Sequence, residues 1–138
     1  MSKKRLLLIG ILLVWVLISC DENSVSIADL EGTWTFPDQG GYTDITVYVA
    51  NTGNDGIADI GFTTGTYSYW CYGGGTYSGL ALVGTYDYNM DDSSPADADA
   101  SGSDYSISIT YSMSGGKLSI SCSGSGPLNG KSFSNGVL

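Results

Sequence analysis

From Asp104 to Met113 the chain alternates without a break. Tyr105, Ile107, Ile109, Tyr111 and Met113 are apolar, and Ser106, Ser108, Thr110 and Ser112 between them are small and polar. A period of two puts each set on its own face of a strand, whereas a helix would scatter both around its axis. Ser114-Gly115-Gly116 supplies a hairpin turn, and Lys117 to Ser123 returns with Leu118, Ile120 and Cys122 on one face. Glu is absent after Glu31 and no later stretch is rich in Ala, Leu, Lys or Arg, so long helices have no support. Tyr, Thr, Ile and Val punctuated by Gly point to an all-β fold.

The same reading places further strands at Glu31 to Phe36, Asp44 to Ala50 and Ile57 to Phe62. Pro37 to Gly41 and Asn51 to Gly56 form the turns between them, since Asn, Asp and Gly accept positive φ. A fourth strand is expected at Thr66 to Tyr72, then a Gly73-Gly74-Gly75 turn, then a long strand from Thr76 to Met90. Gly79 and Gly84 would mark a bulge or bend in it. Asp91 to Ser103 reads as an acidic loop, and Lys131 to Leu138 as the last strand. About eight strands with short turns imply a single antiparallel up-and-down β-barrel over residues 29–138, with a β-sandwich as the alternative.

The amino terminus has its own logic. Lys3, Lys4 and Arg5 precede an apolar run from Leu6 to Leu17, which is short of the roughly 20 residues that span a bilayer. Leu17-Ile18-Ser19-Cys20 then resembles the lipobox of bacterial lipoproteins. The resemblance implies a signal helix over residues 1–19, cleavage before Cys20, acylation of Cys20, and a tether over residues 20–28. The partner it implies is a membrane, through the lipid on Cys20. Asp21 resembles the inner-membrane retention signal of some bacterial lipoproteins, and Asp21-Glu22 the surface-export signal of others; a cell-envelope location is expected, with the outer membrane favoured over the inner.

Cleavage would leave Lys117 and Lys131 against fourteen acidic residues, a net charge of −12, with no His and no Arg. This removes the imidazole of Ser-His-Asp catalysis and of His-based zinc sites. It also makes nucleic acid a poor partner. A non-catalytic monomer is expected, without cofactor or metal. A partial match of Asn51 to Asp59 to a calcium-binding loop reads better as a hairpin turn, because Gly53 offers no ligand oxygen and Phe62 stands where a bidentate Glu belongs. Asp44, Asp59, Asp87 and Asp104 could in principle pair as acid and base, but a chain this small offers little cleft to raise a carboxyl pKa. Cys71 and Cys122 are either a disulfide, which an exported compartment permits, or two buried thiols.

Gly32-x-Trp34 near the start of the domain resembles the G-x-W element that opens lipocalin-like barrels. The resemblance implies structural roles for Gly32 and Trp34, with the tryptophan closing one barrel end. The family's late arginine is missing, and Lys131 is the candidate to cover Trp34 instead. Tyr67, Tyr69, Tyr86, Tyr88, Tyr105 and Tyr111 are candidate contacts for a small neutral or cationic ligand in a barrel mouth. Their other reading is core and surface packing. Tyr67 and Tyr69 share a face with Cys71 while Trp70 and Tyr72 share the other, so at most one of those faces lines an interior. The rival function is a structural or interaction protein that meets another envelope component through Tyr-rich strands or loops.

Overall fold

Alternating apolar residues pair strand by strand into one sheet whose order is the order of the chain: β1 (Gly32–Phe36), β2 (Thr43–Thr52), β3 (Asp55–Thr64), β4 (Tyr67–Ser78), β5 (Ala81–Asp92), β6 (Ala100–Ser114), β7 (Lys117–Gly124) and β8 (Ser132–Gly136). Every pairing is antiparallel. The structure, a computed structural model, describes residues 24 to 53, 55 to 92 and 100 to 138. The expected signal helix, Cys20, and Asp97 and Asp99 of the acidic loop lie outside the described residues.

The sheet curls until its first and last strands meet. Thr35 and Val137 exchange two backbone hydrogen bonds, 2.8 and 2.9 Å, which join β1 to β8 and nearly close the barrel. All eight strands belong to one sheet, so the sandwich alternative is not the fold. Inward positions follow the two-residue period: Trp34 and Phe36, Ile45, Val47 and Val49, Ala58, Ile60 and Phe62, Ile107, Ile109 and Tyr111, then Leu118, Ile120 and Cys122 are all buried.

Three expectations for the middle of the chain need correction. Gly73-Gly74-Gly75 is not a turn; it lies inside β4, paired in order with Tyr86, Thr85 and Gly84 of β5. The reversal falls instead at Gly79, with φ of 60°, so Thr76 to Met90 is the end of one strand and most of the next. The glycines serve close approach: a Cβ at Gly75 would lie 2.1 Å from the Val83 carbonyl oxygen, and one at Gly84 2.0 Å from that of Gly74. Such glycine pairs let a twisted sheet bend sharply enough to close. The acidic loop is also shorter than expected, because β5 continues to Asp92 and β6 begins at Ala100.

The ends of the barrel differ. At one end a 3-10 turn, Ile27–Leu30, lays Leu30 over the core, and the Trp34 indole Nε1–H donates to the Leu30 carbonyl at 2.8 Å. The turn is pinned by Asp29, whose carboxylate accepts from both the Ser26 N–H and the Ser26 hydroxyl; these bonds hold its pKa below the usual carboxylate value. At the other end a second 3-10 turn, Gly126–Leu128, places Leu128 in the core.

Candidate functional site

The interior is occupied by side chains. Twenty apolar residues form one buried cluster, and among the described residues no buried polar or charged residue interrupts it. Cys71 on β4 and Cys122 on β7 face into this cluster from strands that are not neighbours, and both thiols are free. Burial raises each thiol to about 12, and the nearness of Cys122 adds to the shift at Cys71. A bridge between them would cross the core and staple non-adjacent strands.

The candidate tyrosines separate by depth. Tyr111 and Tyr86 are core residues, 1% and 3% exposed. Burial pushes both phenols up, Tyr86 to about 12. The Tyr86 hydroxyl donates to the Ser125 carbonyl at 2.6 Å and accepts from the Leu128 N–H at 3.0 Å, so it anchors the second 3-10 turn. The Tyr111 hydroxyl is buried beside Tyr77 without a well-formed hydrogen bond. Neither can receive a ligand without opening the barrel. Tyr69, Tyr88 and Tyr105 are half-buried, and Tyr67 is exposed at the start of β4.

Around the mouth near Leu128 the aromatic rings form a continuous chain. Phe133 meets Phe36, Tyr42 and Phe62; Phe62 stacks on Tyr69 at 5.0 Å; Tyr69 meets Tyr88, Tyr88 meets Tyr105, and Tyr105 meets Tyr86. Lys131 Nζ sits 5.2 Å above the Tyr42 ring. The expected contact of Lys131 with Trp34 is therefore corrected: Trp34 packs beneath Leu30 at the opposite end. Tyr42, Phe62, Tyr69, Pro127 and Lys131 surround a recess of about 120 Å³. Small-molecule sites run from about 300 to 1,000 Å³, so this dimple suits a few waters or a very small group. Phe62 and Tyr42 were not among the sequence candidates; the parity of Phe62 with Ala58 and Ile60 would have placed it inside, but nothing local marks it as lying at the mouth.

The outer surface has an arrangement of another kind. Register aligns Tyr48 of β2, Asp59 of β3, Tyr72 of β4 and Asp87 of β5 in one outward row. The adjacent row holds Thr46, Gly61, Trp70, Asn89 and Ser101. Trp70 is 49% exposed, and Tyr48 and Tyr72 are exposed beside it. The indole rests on Gly61, where a Cβ would come within 3.0 Å of the ring. Partial burial between the two tyrosine positions raises the Asp59 carboxyl above its usual value. Asp87 is fixed by accepting from the Asp104 N–H at 2.9 Å, and Asp104 itself has φ of 61°. An open groove of about 560 Å³ runs beside Trp70, lined by Ser68, Tyr69, Asn89, Met90, Asp91 and Ser101.

Gly32, with φ of 133°, packs against Leu138, and Trp34 is buried at the covered end. Asn51 to Asp59 is a hairpin, with Thr52 paired to Asp55 around Gly53. Among the described residues no group of acidic or thiol side chains is arranged to hold a metal.

Fold and surface together define a class: an eight-stranded up-and-down β-barrel with a filled interior and an aromatic, acidic outer face. No family model, curated protein or solved structure matches the chain.

Proposed function

We propose that this chain is a lipid-anchored, non-catalytic binding module of a bacterial cell envelope, and that it works through its outer face rather than its interior. The lipobox-like Leu17 to Cys20 supports the anchor, with an acyl-bearing Cys20 held in the outer membrane. One observation carries the choice of surface: the core is packed full, while Tyr48, Trp70 and Tyr72 stand exposed together on β2 and β4. Rigid aromatic side chains fixed on a barrel lose little entropy on contact, and such residues dominate binding surfaces. The lipocalin-like reading narrows accordingly, to shared architecture without an internal ligand chamber.

A second reading keeps the small neutral or cationic ligand and puts it at the mouth between Tyr42, Tyr69 and Lys131. The size of that recess and the ammonium at its edge count against a cation there.

The test places a photoreactive residue at position 72 on the aromatic rows and, separately, at the exposed position 112 on β6, and irradiates intact cells of the source organism. An adduct at 72 and none at 112 is expected. Equal labelling at both, or none at either, would sink the reading. Cys20→Ala tests the anchor in the same cells: the variant should leave the membrane fraction, and continued membrane association would remove the lipid from the account.

A further inference from the structure

We propose that the Trp70 row is a binding site for a neutral polysaccharide, with one sugar ring stacked on the indole and hydroxyls bound along the groove beside it. This rests on the outer-face reading above and adds its chemical class.

The argument begins with the ring. Trp70 is supported from beneath by Gly61 and leaves about half its area open, 49%. An aromatic face held in place offers its π-surface to polarised C–H groups without further ordering cost. The surroundings mix two chemistries. Tyr69 and Met90 line the groove beside Trp70, and Ser68, Asn89, Asp91 and Ser101 line it with them, so apolar faces and hydrogen-bonding groups lie side by side. The surroundings are wrong for an anion, because Asp59, Asp87 and Asp91 crowd the same face. Hydroxyl, amide and carboxylate groups among exposed aromatic rings match a ligand made of C–H faces and O–H donors. Carboxylates accept from sugar hydroxyls, while Asn89 both donates and accepts.

The dimensions fit. Adjacent strands lie about 4.8 Å apart, so Trp70 and Ser101, two strands away, stand roughly 10 Å apart. That is about the length of a disaccharide, and the groove is open at its surface, so a polymer can run through it without an end being captured.

The test uses the full chain, exported and purified in mild detergent, run in native gels containing dextran, laminarin, hydroxyethylcellulose, galactomannan or, as the anionic comparison, polygalacturonate. At least one neutral polymer should retard the protein. Trp70→Ala should weaken that retardation at least tenfold, as expected when an anchoring aromatic is lost. Asn89→Ala should weaken it severalfold with the ring intact, and Val83→Ala, exposed on β5 outside both rows, should leave it unchanged. No retardation by any neutral polymer, retardation only by polygalacturonate, or binding that survives Trp70→Ala overturns the proposal. If the gels fail while position 72 still crosslinks to a protein, the outer face stands as a contact surface and the glycan assignment falls. If both fail, both readings fall.

Discussion

Replacing Tyr86 by Phe removes one oxygen atom and tests how the mouth is held. The ring is buried, and its hydroxyl joins β5 to the turn at Gly126–Leu128 through two hydrogen bonds, to the Ser125 carbonyl at 2.6 Å and from the Leu128 N–H at 3.0 Å. A net hydrogen bond is worth about 1 kcal/mol, and a buried donor left without a partner costs about 1–3 kcal/mol. Leu128 is 2% exposed, so its stranded N–H pays most of that penalty. The variant should lose about 2–4 kcal/mol in urea unfolding followed by tryptophan fluorescence, with the m-value unchanged. The Leu128 amide should exchange faster in D₂O while amides in the middle of β2 keep their relative order. The pH dependence has a definite sign. Burial holds the folded-state phenol protonated up to about 12, while the unfolded phenol ionises near 10. The unfolded state therefore sheds its proton first, and the native protein loses stability as pH climbs from 10 to 12. Phe has no proton to lose, so the gap between variant and parent should shrink across that window. A loss under 0.5 kcal/mol, or an unchanged Leu128 exchange rate, would refute the anchoring role.

Gly75→Ala should cost at least about 3 kcal/mol or abolish folding, because its Cβ would meet the Val83 carbonyl at 2.1 Å and the backbone has nowhere to go; Gly115→Ala, with φ of 58° but open space around it, should cost only about 1–2 kcal/mol, and equal melting temperatures for the two would contradict the close-approach argument. Trp34→Phe should cost about 1–3 kcal/mol by leaving the Leu30 carbonyl unpaired, read by calorimetry, and Leu30→Ala should be at least as damaging because it uncovers the same end. In the reduced protein Cys71 and Cys122 should resist iodoacetamide at pH 8 and react in urea. Their raised pKa values mean that stability falls as pH rises from 9 towards 12, and Cys71→Ala/Cys122→Ala should flatten that fall; ready alkylation of the folded protein would contradict their burial.

Strand positions were largely legible in the sequence, because a half-buried strand writes its exposure into every second residue. Ile45, Val47 and Val49 and the run from Tyr105 to Met113 each show this, and all the inward members named from that period in β2 and β7 are buried. Gly73 to Gly75 misled for a local reason. Three glycines permit a turn, but equally permit two backbones to close on each other, and only the partner strand with Gly84 and Tyr86 decides which. Only the lipocalin-like resemblance pairs Lys131 with Trp34, whereas β1 and the segment before β8 put those side chains at opposite ends. The candidate tyrosines shared a composition, not a location. Tyr86 and Tyr111 face the core, and the row of Tyr48, Asp59, Tyr72 and Asp87 draws on four strands whose alignment no single segment contains.

Strand character and the buried faces of β2, β6 and β7 were thus determined by the sequence alone, since both follow from spacing within a few residues. Closure through Thr35 and Val137, the filling of the interior and the assembly of the aromatic rows were decided only by the tertiary structure. They depend on how eight twisted strands sum to a circle and on which side chains then compete for one volume, quantities that arise between segments and have no trace within any of them.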